Sequence, residues 1–314
     1  MKLIEFMEKY PTEERCKQEL RKIRERKGMI CPVCGGIHHY WKDDKECFEC
    51  ASCHYRQSLK ANTIMHGSQL PIRYWFIAMH LLTSTKKGIS AAEVQRQLGH
   101  KRYEPIWAML HKIRDVMGLR DNEYSLEGAV ELDEGFFSTG SSKEDTDEPL
   151  KRGRGSQRKT KVLVMASTDT GNGVSETRKS VKPTALKYVK MVVISDLKSK
   201  TIDGQVVKSI DNESIINTDN STSYTNFSNI FKGHNGQVIP KDLIGKVLPW
   251  VHISISNAKR EFLDIHHNTS SNYLQYYLNE FCYKLNRRYF GDKLFDRILL
   301  AGISYKNSFR YNIG

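Results

Sequence analysis

The sequence predicts a multidomain chain: an N-terminal zinc ribbon and a helix-turn-helix, followed by an α/β domain. Three observations carry this. Five of the seven cysteines lie between Cys31 and Cys53. From Leu70 to Met117 apolar residues recur at helical spacing in three successive segments. Beyond residue 128 the pattern changes to Val-rich runs of strand character: "AVELDEGFF", "KTKVLVMAST", "VKMVVIS" and "SIINTDN".

A chain of 314 residues can bury a substantial core without disulfide staples. Its 49 Lys and Arg against 36 Asp and Glu leave a formal charge of +13, which points to a polyanionic partner, nucleic acid ahead of a membrane surface. The stretch "MKLIEFMEKYPTEERC" has no apolar signal-type core, and no window approaches the roughly 18 apolar residues that span a bilayer. A soluble, cytoplasmic protein with no membrane partner is therefore expected. Clustered cysteines in a reducing compartment suit a metal better than disulfides.

Residues 1–28 mix charge with scattered apolar residues in a helical rhythm, a helical lead-in. The ribbon is expected over 29–60. "CPVCGG" offers Cys31 and Cys34; "CFECASC" offers either Cys47 with Cys50 or Cys50 with Cys53, 12 or 15 residues further on. Four thiolates at such spacing place themselves around one tetrahedral Zn2+ and leave no open position for catalysis. Cys50 and Cys53 are preferred, because "FECASCHYRQS" puts an aromatic before the pair and a basic, hydrogen-bonding tail after it. Cys16 and Cys282 read as ordinary apolar residues.

The helix-turn-helix is expected over 68–118. Ser90 can cap a helix starting at Ala91, with Glu93 placed as in a capping box and Gly99 to close it. His100, Lys101, Arg102 and Tyr103 then stand at the entrance of the recognition helix near DNA, while Trp107, Leu110 and Ile113 face the core. Residues 119–128 read as a linker.

The third domain is expected over 126–305. Period-two alternation in "AVELDEGFF" sends Val130, Leu132 and Glu134 one way and Glu131, Asp133 and Gly135 the other. A carboxylate on a core strand needs a metal, a base or an exposed edge, since burial without a partner is costly. A second acid, Asp219, ends the run led by Ile215 and Ile216, and acids at core strand ends can present oxygens to Mg2+. Between the first two strands lies a Gly- and Ser-rich loop. Its basic end, "LKRGRGSQRKTK", packs Lys151, Arg152, Arg154, Arg158, Lys159 and Lys161 into twelve residues, a set suited to phosphates. Tyr273, Leu274, Tyr277, Leu278, Phe281 and Leu285 mark a final amphipathic helix that covers the sheet.

The order zinc ribbon, helix-turn-helix, "ELDEGFF", "LKRGRGSQRKTKVLVMA", "NTDNSTSY", "WVHISISNAKREF" and "SNYLQYYLNEFCYKLNRR" resembles a transposase of the insertion-sequence family numbered 1595, over residues 15 to 300 or so. The resemblance implies a ribonuclease H-like catalytic domain of the DDE group, with Asp133 and Asp219 as the first two ligands of Mg2+ (or Mn2+). It also implies a third position in a pattern like E-x-x-W-x-x-x-K. Set on "VHISISNAKR", that pattern lays Lys259 on the lysine, Ile255 on the tryptophan and His252 on the glutamate. Some branches use Asn there, and Asn257 in "ISNAKR" resembles that arrangement. His252 follows Asp219 by 33 residues and Asn257 by 38, so spacing leaves both open. Glu261 and Asp264 fit the register less well.

The activity so implied is metal-dependent cleavage and strand transfer of DNA at insertion-sequence ends. Its partners would be double-stranded DNA, as element ends and target, and further copies of the chain in a homodimer or larger synaptic complex. The alternative is a zinc-ribbon and helix-turn-helix regulator, or a decayed transposase without chemistry. Asp133 and Asp219 separate the two, because a regulator has no use for them.

Overall fold

The computed structural model describes residues 1–140, 156, 158–170, 184–238, 247–266, 269–306 and 309. The chain forms two compact units, Met1–Arg120 together with Tyr289–Gly314, and Asp121–Arg288.

In the first unit the lead-in is two helices, α1 (Leu3–Lys9) and α2 (Glu13–Lys27). Pro11 separates them, since it cannot continue a helix, and Thr12 starts the second by accepting the Arg15 N–H. An antiparallel sheet follows, of β1 (His39–Lys42), β2 (Cys47–Cys50) and β3 (Arg56–Ser58), in that order. Arg24 of α2 is buried against it, donating to the carbonyls of Ser58 and Leu59.

Three helices come next: α3 (Ile72–Ser84), α4 (Ala91–Leu98) and α5 (Glu104–Asp121). Glu13 receives the N–H groups of Ile72 and Arg73 at 2.8 and 2.7 Å, which caps α3 from a distant part of the chain. Ser90 caps α4 through the Glu93 N–H, and Gly99 closes it at φ +62°, a conformation glycine adopts without strain. The Glu93 side chain pairs with Arg96 and Gln97. Ile106, Leu110 and Ile113 of α5 are buried, whereas Trp107 is half-buried and stacks on His111.

In the second unit, β4 (Ala129–Ser138), β5 (Lys159–Thr170) and β6 (Thr184–Ile194) form an antiparallel meander. After α6 (Ser199–Ser209) the chain returns as β7 (Ile215–Asp219), parallel to β4. The short helix α7 (Phe227–Ile230) leads to β8 (Gly233–Gln237), parallel to β7, so the sheet order is β6-β5-β4-β7-β8. α8 (Pro249–Ile265) and α9 (Leu274–Asn286) cover one face, where Val162, Val164, Ala166, Val251, Ile255, Leu278 and Phe281 pack together. The other face buries Val130, Leu132, Leu163, Met165 and Ile216 against Ile202 and Val206 of α6. With both faces covered, β5 reads as the unbroken apolar run "VLVMA".

Two expectations differ at their edges. The linker 119–128 is in part structure: α5 runs on to Asp121, and Leu126 is buried in an isolated bridge to Ile210. The expected third domain ended at 305, but α10 (Leu294–Ser304) belongs to the first unit, where it packs on α3 and accepts the Ile64 N–H at Gly302. Among the described residues no helix is long and apolar enough to cross a membrane.

Candidate functional site

The parallel pairing of β4 and β7 matches Ala129 with Ile215, Val130 with Ile216 and Glu131 with Asn217. Two residues further along both strands stand Asp133 and Asp219, at the same level of strands that run about 4.8 Å apart. Partnered residues share a face, and this pair shares that of Glu131, toward α8. Asp133 Oδ1 accepts the Glu134 N–H at 2.7 Å, and Asp219 Oδ1 accepts the Ser221 N–H at 3.2 Å in the turn that leaves β7. Asp219 ends its strand, so both carboxylates stand where β7 stops and β4 continues.

Glu131 is buried and serves another purpose. Its Oε2 takes the N–H groups of Trp250 and Val251 at 2.8 and 3.0 Å, holding the first turn of α8. That anchor brings the next residue, His252, to Asp133: its Nδ1 lies 3.7 Å from Asp133 Oδ2. Burial pushes the imidazole below its ordinary pKa, and its buried Nε2 has no hydrogen-bond partner among the described residues. α8 then follows β4: Ile255 lies against Gly135, where a Cβ would meet its Cγ1 at 3.4 Å, and Lys259 Nζ sits 5.7 Å from the Phe137 ring centroid. Burial, with the positive charge of Lys159, lowers the Lys259 pKa. Asn257 is exposed and its Oδ1 accepts from Arg260 at 2.8 Å.

Glu134, on the opposite face, accepts the Tyr224 hydroxyl at 2.6 Å; burial raises its carboxyl above the usual range. The three acids of "ELDEGFF" thus have three roles. Glu131 and Glu134 have partners other than a metal, a helix start and a phenol. Asp133 and Asp219, on neighbouring strand ends, and His252, beside Asp133, carry atoms that could hold a hard cation keeping several waters.

Among the described residues, Cys31, Cys34, Cys50 and Cys53 are the one set of three or more potential ligands whose atoms all lie within 4.8 Å of one another. The Sγ separations of Cys31 to Cys53 and Cys34 to Cys50 are 3.6 Å, close to the roughly 3.8 Å edge of a tetrahedron with 2.3 Å Zn–S bonds. The N–H groups of Cys53 and Ser52 draw the Cys50 thiol down to about 6, favouring the thiolate that a metal needs. Cys47 lies on β2 paired with Lys42 and Ser58, outside the cluster. Four cysteines this close could bind zinc.

Comparison with known proteins places this geometry. The family model of the ISXO2-like transposase domain matches residues 125–286, which include both aspartates and all of α8 and α9. The chain belongs to the ISXO2-like transposase domain family. An uncharacterized protein in transposable element ISH50 of Halobacterium salinarum is 24% identical over 173 residues, which cover 52% of this chain and 57% of that relative. Two solved structures align loosely, each at 11% identity. A pre-cleavage Mos1 transpososome covers 69% of this chain and 75% of its own, with a TM-score of 0.26. A Mos1 transposase paired-end complex with the left transposon end covers 76% and 82%, with a TM-score of 0.29. Superpositions that loose define no common fold.

The remaining basic candidates belong to both units. Lys101 and Arg102 are exposed between α4 and α5, with the Arg102 carbonyl 2.8 Å from His100 Nδ1. Arg158 and Lys159 are exposed at the start of β5; Lys151, Arg152 and Arg154 lie outside the described residues. Sequence reasoning missed Tyr224 altogether. The one available signal was a tyrosine five residues past the second aspartate, in "TDNSTSY".

Proposed function

We propose that residues 121–288 form a ribonuclease H-like nuclease unit that cleaves and rejoins DNA at insertion-sequence ends with Mg2+ or Mn2+. The observation that carries this is the side-by-side placement of Asp133 and Asp219 on adjacent parallel strands, with His252 of α8 beside Asp133. The sheet order, an antiparallel meander extended by two parallel strands beside its first strand, supports the ribonuclease H-like reading. Membership in a transposase family supports the substrate.

Asp133 and Asp219 supply carboxylate oxygens and His252 a neutral nitrogen, a mixed donor set that accepts Mg2+ and Mn2+. Ions bound there would activate the attacking water or 3′-hydroxyl and stabilise the leaving oxygen of the phosphodiester. Lys259, held beside the Phe137 ring, would meet a DNA phosphate, and Arg158 and Lys159 would extend that contact. Lys101 and Arg102 would reach DNA at the recognition-helix entrance, and Cys31, Cys34, Cys50 and Cys53 would hold a structural Zn2+. Two element ends must be held together for transfer, so a dimer or larger assembly on DNA is part of the proposal.

The test is Mn2+-dependent nicking of a DNA fragment carrying the element end, by the full chain and by Asp133→Asn and Asp219→Asn proteins. Loss of nicking to background in both variants is expected. Equal activity in all three would remove the enzymatic reading.

A further inference from the structure

Tyr224 is fully buried, and its hydroxyl donates to Glu134 Oε1 at 2.6 Å. The two partners belong to the segments that carry the aspartates. Glu134 directly follows Asp133 on β4, and Tyr224 closes the 3-10 turn Thr222–Tyr224 that leaves β7 after Asp219. Their bond lies behind the sheet, on the face away from α8, where the Tyr224 ring packs with Leu132, Ile216 and Phe227.

Packing alone would be served by an apolar residue at 134, because a carboxylate in this layer must be compensated. The bond does something that packing does not: it fixes a point on β4 to the turn after β7. That turn is held at two more places. The Ser221 N–H reaches Asp219 Oδ1, and Ser223 Oγ donates to the Leu197 carbonyl at 2.9 Å. The turn therefore touches the Asp219 carboxylate at one end and the neighbour of Asp133 at the other.

We infer that Tyr224 and Glu134 are positioning residues that lock the height of Asp219 against Asp133 across the seam between β4 and β7, through a hydrogen bond behind the sheet. The inference rests on the metal-dependent reading above. Sliding β7 by part of a residue would separate the two carboxylates, and partners that orient metal ligands typically matter 10- to 100-fold for metal affinity.

The experiment is Mn2+ binding to the full-length, zinc-loaded chain, read by electron paramagnetic resonance, beside the half-saturating Mn2+ for nicking. Tyr224→Phe keeps the ring and the net charge and removes only the donor. It is expected to weaken Mn2+ binding about 10-fold or more. Glu134→Gln keeps an acceptor oxygen for Tyr224 and is expected to weaken it less than Tyr224→Phe. Unchanged Mn2+ binding in Tyr224→Phe, while Asp133→Asn loses it, would overturn the inference. So would the reverse order of the two variants, which would assign the effect to the Glu134 charge. Mn2+ binding that survives in Asp133→Asn would instead strike at the metal site itself, and the inference would fall with it.

Discussion

Glu131 on β4 accepts the backbone N–H of Trp250, the second residue of α8, at 2.8 Å, across 119 residues of sequence. The carboxylate meets the positive end of the helix and accepts two of its first N–H groups, that of Val251 buried.

Removing that carboxylate should therefore loosen the helix that carries His252. Glu131→Gln keeps an acceptor and loses the charge, at about 0.5–1 kcal/mol. Glu131→Ala removes the acceptor of the buried Val251 N–H, at roughly 1–3 kcal/mol. Urea denaturation measures both. A midpoint for Glu131→Ala equal to the wild type would mean that the start of α8 is held by other contacts.

The cysteine geometry makes a prediction residue by residue. The purified chain should carry one zinc, and Cys→Ser at 31, 34, 50 or 53 should abolish or sharply weaken its retention, while Cys47→Ser should keep it. Zinc content by atomic emission decides this. Because such an ion supplies folding energy to a three-stranded ribbon, chelation should also melt β1 to β3, seen as a loss of ellipticity. A Cys53→Ser protein with full zinc content would remove this ligand set.

How much of this was legible in the sequence follows from the range of the interaction. Two C-x-x-C pairs state their own geometry, and the Ser90 cap, the Gly99 stop and the alternation of Val130 to Gly135 are local. Glu131 and Glu134 looked like Asp133 in the sequence because their partners, Trp250 and Tyr224, are 119 and 90 residues away. The two candidates for the third position were separable in principle, since 252, 255 and 259 share one helix face and 257 stands about 140° round from 252. Using that phase required knowing that one helix spans Pro249–Ile265. α10 carried a clear amphipathic pattern, but nothing in a pattern says which unit it joins.

His80 of α3 gives the first unit a pH dependence. It is buried, stacks on Phe6 at 4.4 Å, and its Nδ1 has no partner among the described residues. Burial, then the nearby N-terminal amine, lowers its pKa below the unfolded value of about 6.5. Below that pH the unfolded chain binds a proton that the folded one refuses, so stability falls with falling pH. The slope is at most about 1.4 kcal/mol per pH unit, until the folded pKa is reached. Thermal melting of the full chain should show a lower midpoint at pH 5.5 than at pH 7.5, and His80→Phe should reduce that difference. An undiminished pH dependence in His80→Phe would place the titrating group elsewhere.

His252 and Asn257 lead to opposite outcomes for the third position. His252 presents Nδ1 3.7 Å from Asp133, has its pKa lowered by burial, and holds an Nε2 that no described protein group uses. Asn257 is exposed, with its amide oxygen already taken by Arg260. His252→Ala should weaken Mn2+ binding and nicking by about 10- to 100-fold, the loss expected for a group that ligates the ion or orients a ligand. Asn257→Ala should stay close to the wild type in both. His252→Glu provides the stronger check, since a carboxylate at this point restores the charge of an acidic triad, and it should recover metal binding that the alanine loses. If Asn257→Ala were the damaging change and His252→Ala the silent one, α8 would have to turn by more than a third of a revolution when metal and DNA bind. The Glu131 anchor at Trp250 and Val251 leaves no room for that without breaking both of its hydrogen bonds.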